Sequence, residues 1–294
     1  MHNHYVSGNR VKPLQQYSFL KALRPFSLVV AVVSCALGIL LAENDGYHQP
    51  WLAVWIMLGG ILAQAGINLI NDIEDLPLIP ENHANHTHIK KLIHRNTLAG
   101  IICFLLASFI AVYLISIQGW PLFFLIFISG LASLSYNIGP FNFKQRGLAM
   151  VQVFVLMGIF MVQGAYLAMS GHFSSQALLH SLPISLLISL LLLSNELRDW
   201  ETDQNKNIQT LTVRIGYKNS VRLYWALIIS SYLLAAIFFI NGELHQLLWL
   251  LLPLPLLIPI KRYLSAPKRI QLTPMTGRFF FLFGLAYMLA LGLN

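Results

Sequence analysis

Most of the chain's 11 acidic residues are concentrated in two short segments. The first reads Asn68-Leu69-Ile70-Asn71-Asp72-Ile73-Glu74-Asp75, with Glu81 a little further on. The second reads Asn195-Glu196-Leu197-Arg198-Asp199-Trp200-Glu201-Thr202-Asp203. Each contains Asn-x-x-x-Asp (Asn68 to Asp72, Asn195 to Asp199) followed by a further Asp, Asp75 or Asp203. On a continuous helix, residues four apart share a face, so each segment is expected to present one amide and two carboxylates on one side. Such groups repel one another beside an apolar core, and hard divalent cations relieve that repulsion. Mg²⁺ prefers oxygen ligands, keeps several waters, and usually takes one or two carboxylates plus substrate phosphates. That is the chemistry of a diphosphate site, with nearby arginine and lysine taking the remaining charge. The basic candidates are Arg24, Lys91, Arg95, Lys144, Arg146, Arg198 and Arg214.

The elements that position these groups must be membrane helices. The 294-residue chain is 56% hydrophobic and only 10% charged, whereas a soluble domain carries about 25% charged residues. Apolar runs of roughly 20 residues recur, the length that spans a bilayer. The spacing predicts an all-α bundle of nine transmembrane helices near 26–42, 51–70, 98–117, 121–136, 148–169, 177–197, 224–240, 247–260 and 279–293. Pro253, Pro255 and Pro259 interrupt the eighth, which neighbouring helices can accommodate. The whole chain, 1–294, is expected to be one domain, with residues 1–20 a polar cytosolic tail and the first run a retained helix.

The charges follow the same plan. All 19 lysines and arginines lie in the tail or in the connections after runs two, four, six and eight. The other connections carry only Glu43, Asp45 and Glu243. The positive-inside rule then places the N-terminus and the basic loops in the cytosol and the C-terminus outside. Topology and attraction to anionic lipid account for the net charge of +8, so no nucleic-acid partner is expected. Cys35 and Cys103 fall within apolar runs and read as small core residues, without a disulfide framework.

With two Asp-rich segments following spans two and six of nine, the chain resembles the UbiA superfamily of intramembrane aromatic prenyltransferases. The likeness extends from Arg24-Pro25 to the last span. Arg24-Pro25-Phe26-Ser27-Leu28, Tyr136-Asn137-Ile138-Gly139-Pro140 and Arg146-Gly147-Leu148 point to the 1,4-dihydroxy-2-naphthoate prenyltransferases of menaquinone synthesis. So does the second acidic segment, continued to Thr210-Leu211-Thr212-Val213-Arg214-Ile215-Gly216. The resemblance implies that Asn68, Asp72, Asp75, Asn195, Asp199 and Asp203 hold Mg²⁺ and a polyprenyl diphosphate. It makes Arg24, Lys144 and Arg198 candidates for the diphosphate oxygens, while Tyr136, as an aromatic ring able to face a cation, is a separate candidate beside the substrate. It also implies an aromatic acceptor and a multi-pass place in a lipid bilayer, the bacterial inner membrane. The chain departs from the family pattern in three places. Ile79 stands where another Asp is common, Asn207-Ile208 where Gly-Lys usually follows, and Met150 where an acid is common.

The same motifs are compatible with other acceptors: 4-hydroxybenzoate, haem, a sugar phosphate or a specialised aromatic metabolite. They are compatible too with isoprenoid-diphosphate binding without turnover, or with ion-coupled transport, although transporter sites lie near the bilayer midplane. His83, His86 and His88 form a loop cluster with little metal-site character. Trp120, Phe123, Phe124, Phe154, Phe160 and Tyr166 could line a prenyl tunnel or simply pack. Gly59-Gly60, Gly130 and Gly158 are expected to allow close helix contact.

Overall fold

The computed structural model describes residues 14–80, 85–134, 143, 145–267 and 269–292. The described residues form helices and connections, without strands. The helices are α1 (Pro25–Asn44), α2 (Pro50–Ile70), α3 (His86–Gln118) and α4 (Trp120–Leu134). They continue as α5 (Ala149–Ser170), α6 (Ser175–Asn205), α7 (Tyr217–Ile240), α8 (Leu247–Leu264) and α9 (Leu272–Leu291). Eight are long and apolar enough to cross a membrane; α4, with 15 residues, is the shorter one.

Local chemistry sets the ends of these helices. Pro25 and Pro50 open α1 and α2, where a missing N–H costs nothing and the fixed φ suits the first turn. The Ser174 side chain accepts the Ala177 N–H to cap α6. In α8 the prolines leave two short 3₁₀ pieces, Leu247–Leu251 and Leu254–Leu256, before regular helix resumes at Leu257–Leu264. Helix α3 starts some dozen residues before the expected span, because Ile89 and Ile93 bury themselves beside Tyr17 and Ile79. Lys90, Lys91 and Arg95 therefore lie on a helix and not in a loop.

Helix α6 lies at the centre. Of its most apolar stretch 72% is buried, against 17% for the peripheral α3. Leu105, Phe109, Trp120 and Phe124 are exposed on the outer helices, as expected of a surface solvated by lipid. Trp120 and Phe124 therefore line no interior tunnel. Midway along α5 a π-helical stretch, Phe154–Phe160, carries Gly158 against α6. A Cβ on Gly158 would lie 2.1 Å from Ser185 Oγ, so only glycine lets these helices approach. Gly130 has open space around it, contrary to its expected packing role.

Contacts at the two ends of the bundle fix its alternation. At one end the close of α1 meets the closes of α5 and α9: Tyr166 donates to Asp45 Oδ2 at 2.5 Å, and Asn44 donates to the Gly292 carbonyl at 3.0 Å. There His180, near the start of α6, lies 2.9 Å from the Tyr287 hydroxyl and 3.1 Å from Glu243. The opposite end gathers the starts of α1, α3, α5, α7 and α9 with the closes of α2, α6 and α8. Both acidic segments lie at this second end.

Candidate functional site

The segment entering α1 and the close of α2 build the first half of the site. Asn68 is 3% exposed, and both the nitrogen and the oxygen of its amide bond within the protein. Its Nδ2 donates to the Leu23 carbonyl at 2.8 Å, while its Oδ1 accepts from Ser27 Oγ at 3.3 Å and Gln64 Nε2 at 3.2 Å. Gln64 Nε2 also donates to Ser27 Oγ at 2.6 Å. In this arrangement Asn68 holds the backbone that delivers Arg24. That residue adopts a left-handed conformation, φ 48°, immediately before Pro25, which costs a non-glycine residue about 1–2 kcal/mol. Fixed in this way, the guanidinium reaches Asp72 Oδ1 at 3.4 Å. With its amide oxygen facing the guanidinium, Asn71 accepts from Arg24 Nη1 and Nη2 at 2.8 and 2.5 Å.

Beyond Ile70 the chain tightens into a 3₁₀ helix, Asn71–Leu78, so the expected α-helical continuation does not hold here. Pro77, inside this stretch, is incompatible with a regular α-helical ladder. With three residues per turn, positions three apart eclipse, and Asp72 and Asp75 therefore share a face. Asp72 is 5% exposed; a carboxylate so buried needs a charged partner, which Arg24 supplies. Burial first, then the nearby Asp75 and Asp72 charges, push the Tyr17 pKa well above its usual 10.

The second half stays on α-helix through Asn205, which sets Asn195, Asp199 and Asp203 one above another. Arg198 forms a two-pronged pair with its neighbour Asp199, Nε to Oδ1 at 2.8 Å and Nη2 to Oδ2 at 2.6 Å. Its Nη1 reaches Thr273 Oγ1 on α9 at 3.4 Å. Among the described residues the Asn195 amide makes no hydrogen bond. Glu196, 6% exposed, accepts the Thr212 N–H at 3.1 Å and caps the short helix Leu211–Ile215. Glu201 pairs with both terminal nitrogens of Arg269 at 2.8 Å, and Arg269 also lies 4.4 Å over the Tyr217 ring. The Glu201 carboxylate raises the Arg269 pKa further.

Helix α9 links the halves. Phe26, two residues after Arg24, packs where a Cβ on Gly277 would fall. Thr273, which receives Arg198, lies one turn earlier on the same helix. Of the other basic candidates, Arg214 is taken up by the backbone carbonyls of Gln209 and Gln145 at 3.0 and 2.8 Å. Lys144 and Tyr136, like Glu81 and His83, lie outside the described residues. Tyr166 serves the opposite end through Asp45.

Asp72, Asp75, Asp199 and Asp203 are hard oxygen donors and fit Mg²⁺. Among the described residues no three carboxylate, histidine or cysteine side chains gather into a metal cage. A small carboxylate set suits an ion whose shell is completed by water and substrate phosphate. Sequence reasoning missed Tyr17, Gln64 and Asn96. Gln64 and Asn96 leave a trace as amides in apolar surroundings, whereas Tyr17 leaves none.

A multi-pass helical membrane protein with two aspartate pairs at one end of its bundle is the class that fold and site define. The chain belongs to the UbiA prenyltransferase family, whose model matches residues 31–287, and it is a prenyltransferase. It is 26% identical over 286 residues to the UbiA prenyltransferase domain-containing protein 1 homolog of Drosophila melanogaster, covering 93% of this chain and 79% of the relative. The human UbiA prenyltransferase domain-containing protein 1 is 26% identical over 281 residues, covering 92% and 82%. A UbiA homolog from Archaeoglobus fulgidus, solved bound to GPP and Mg²⁺, shares the fold with a TM-score of 0.62 at 15% identity. That match covers 92% of this chain and 99% of the homolog. A digeranylgeranylglyceryl phosphate synthase structure aligns with a TM-score of 0.60 at 16% identity, covering 95% and 98%.

Proposed function

We propose that the chain transfers a polyprenyl group from its diphosphate to an aromatic acceptor of the 1,4-dihydroxy-2-naphthoate type, using Mg²⁺ held by Asp72, Asp75, Asp199 and Asp203. The observation that carries this reading is the arginine against an aspartate in each acidic segment, Arg24 on Asp72 and Arg198 on Asp199. Each pair brings together a group that can hold a metal and a group that can hold a phosphate. The Archaeoglobus homolog bound to GPP and Mg²⁺ supports the same assignment. The naphthoate-type acceptor is supported by Arg146-Gly147-Leu148 and by the run from Asn195 to Gly216.

The guanidinium groups of Arg24 and Arg198 neutralise Asp72 and Asp199. When prenyl diphosphate enters, Arg24 and Arg198 turn to its oxygens, which suit a planar fork of donors. Bound at the freed carboxylates, Mg²⁺ would neutralise charge on the departing diphosphate. The bond between the allylic carbon and the bridging oxygen breaks, and the diphosphate leaves with the electron pair. An electron-rich ring carbon then bonds to the allylic carbon. With a naphthoate acceptor the ring carboxylate departs as CO₂, its electron pair restoring the ring. The surrounding apolar helices keep water from the cation. Lys144 and Tyr136 are further candidates for diphosphate and substrate. The basic end, and with it the site, is assigned to the cytosolic face by the positive-inside rule.

Purified protein in detergent, given radiolabelled geranyl or longer polyprenyl diphosphate, Mg²⁺ and a panel of aromatic acceptors, tests this directly. Mg²⁺-dependent prenylation of a naphthoate acceptor, lost in Asp72→Ala and in Asp199→Ala, is the expected result. Preference for a different acceptor would overturn the naphthoate assignment. Turnover unchanged in both variants would overturn the site.

A further inference from the structure

Arg269 lies in the connection between α8 and α9, outside both acidic segments, yet its side chain is only 9% exposed. Two of its nitrogens hold the Glu201 carboxylate, Nη1 to Oε2 and Nη2 to Oε1, each at 2.8 Å. Nη1 also reaches the Leu197 carbonyl at 3.5 Å. The third nitrogen, Nε, donates to the Tyr217 hydroxyl at 2.9 Å, and that hydroxyl donates to the Leu264 carbonyl at the close of α8. The Tyr217 ring, at the start of α7, lies 4.4 Å from the guanidinium and meets the Trp200 ring edge-on at 5.6 Å. The two contacts on α6, Leu197 and Glu201, are four residues apart on one face and enclose the turn that carries Arg198 and Asp199. Thr273, four residues beyond Arg269, takes Arg198 Nη1 at 3.4 Å. The entry to α9 thus grips this turn twice.

We propose that Arg269 is a positioning residue for Asp199 and Asp203: by holding Leu197 and Glu201 it keeps the last turns of α6 helical and the two aspartates in register. This role rests on the function proposed above. Helix ends fray, and Asp203 stands only two residues before Asn205, the last residue of α6. An exposed ion pair contributes little against such fraying. This pair differs, because its arginine is buried, two-pronged and stacked on a ring, a combination suited to a planar guanidinium. A purely electrostatic effect of Arg269 on the site is separable from positioning by its sign, since Arg269 and Glu201 carry opposite charges.

The test is equilibrium binding of radiolabelled geranyl diphosphate to the full chain in detergent, with Mg²⁺ titrated, for wild type, Arg269→Gln, Glu201→Gln and the double variant. Both single substitutions release the same turn, so each should raise the Mg²⁺ concentration needed for half-maximal binding. The expected rise is on the order of 10-fold, the lower end of what outer partners of metal ligands contribute. The double variant should resemble Arg269→Gln, because the pair is already broken. Glu201 is half exposed, so Glu201→Gln carries the test even where Arg269→Gln folds poorly; unfolding midpoints are measured alongside. Charge alone would move the two single variants in opposite directions, one losing a cation and the other an anion. Opposite shifts, or wild-type Mg²⁺ dependence in Glu201→Gln, would overturn the positioning role while leaving the site intact. A lowered unfolding midpoint with unchanged Mg²⁺ dependence would overturn it too, leaving Arg269 a structural tie. Absence of Mg²⁺-dependent binding in the wild type would instead overturn the site on which the role depends.

Discussion

At the residue scale, the arrangement of Arg24 and Arg198 is the most informative feature. One comes from outside its acidic segment and the other from within it, yet each ends against a motif aspartate, at 3.4 and 2.6 Å. If these guanidinium groups transfer to the diphosphate on binding, Arg24→Ala and Arg198→Ala should each raise the KM for prenyl diphosphate. A hydrogen bond to a charged group contributes about 1.5–3 kcal/mol, so the expected increase is on the order of 10- to 100-fold. Lysine at either position should restore only part of the loss, since it lacks the planar fork. Unchanged KM in both alanine variants would confine the arginines to pairing within the protein. The carboxylates were legible in the sequence because acids are rare in this chain and gather at two helix ends. The role of Asn68 was not legible: spacing places it on the Asp72 face, but its partners, Ser27 and the Leu23 carbonyl, come from a distant stretch. Tyr17 was hidden for the same reason, since burial of a lone tyrosine depends on Ile89 and Ile93 far along the chain.

At the scale of elements, apolar run length located the membrane-crossing part of each helix, because the bilayer imposes that length on any span, but not the polar turns that carry α6, α7 and α9 about two turns further. Three features escaped it. The first acidic segment turns 3₁₀ after Ile70, a consequence of Pro77 that hydropathy does not register. Helix α3 extends toward its N-terminus on an amphipathic prefix whose apolar residues face the Tyr17 core. The π-helical stretch in α5 depends on what packs against it, and there Gly158 meets Ser185. Gly158→Ala should therefore force the central α6 away from α5. Overpacking of this kind typically costs about 1–3 kcal/mol, read as a lower unfolding midpoint in detergent. Gly130→Ala, where a methyl meets nothing, should leave that midpoint unchanged. Equal midpoints for the two variants would contradict the close approach of α5 and α6.

At the scale of the whole molecule, separation of charge by connection implied an up-and-down bundle with a basic end. The contacts at its two ends show the alternation directly. The end holding Arg24, Asp72, Arg198 and Asp199 is also where Arg269 and Tyr217 tie the connections around α7 and α9 to α6. Two acidic segments separated by over a hundred residues thus lie at the same end of the bundle, where α9 meets Arg198 through Thr273 and Phe26 through Gly277. On the proposed function, one diphosphate is held by both segments. The most direct test is the stoichiometry of geranyl diphosphate bound in the presence of Mg²⁺, measured for wild type, Asp72→Ala and Asp199→Ala. One molecule per wild-type chain, with binding lost in either single variant, is the expected result. Full retention of binding by either variant would show that one segment suffices and would contradict a shared site.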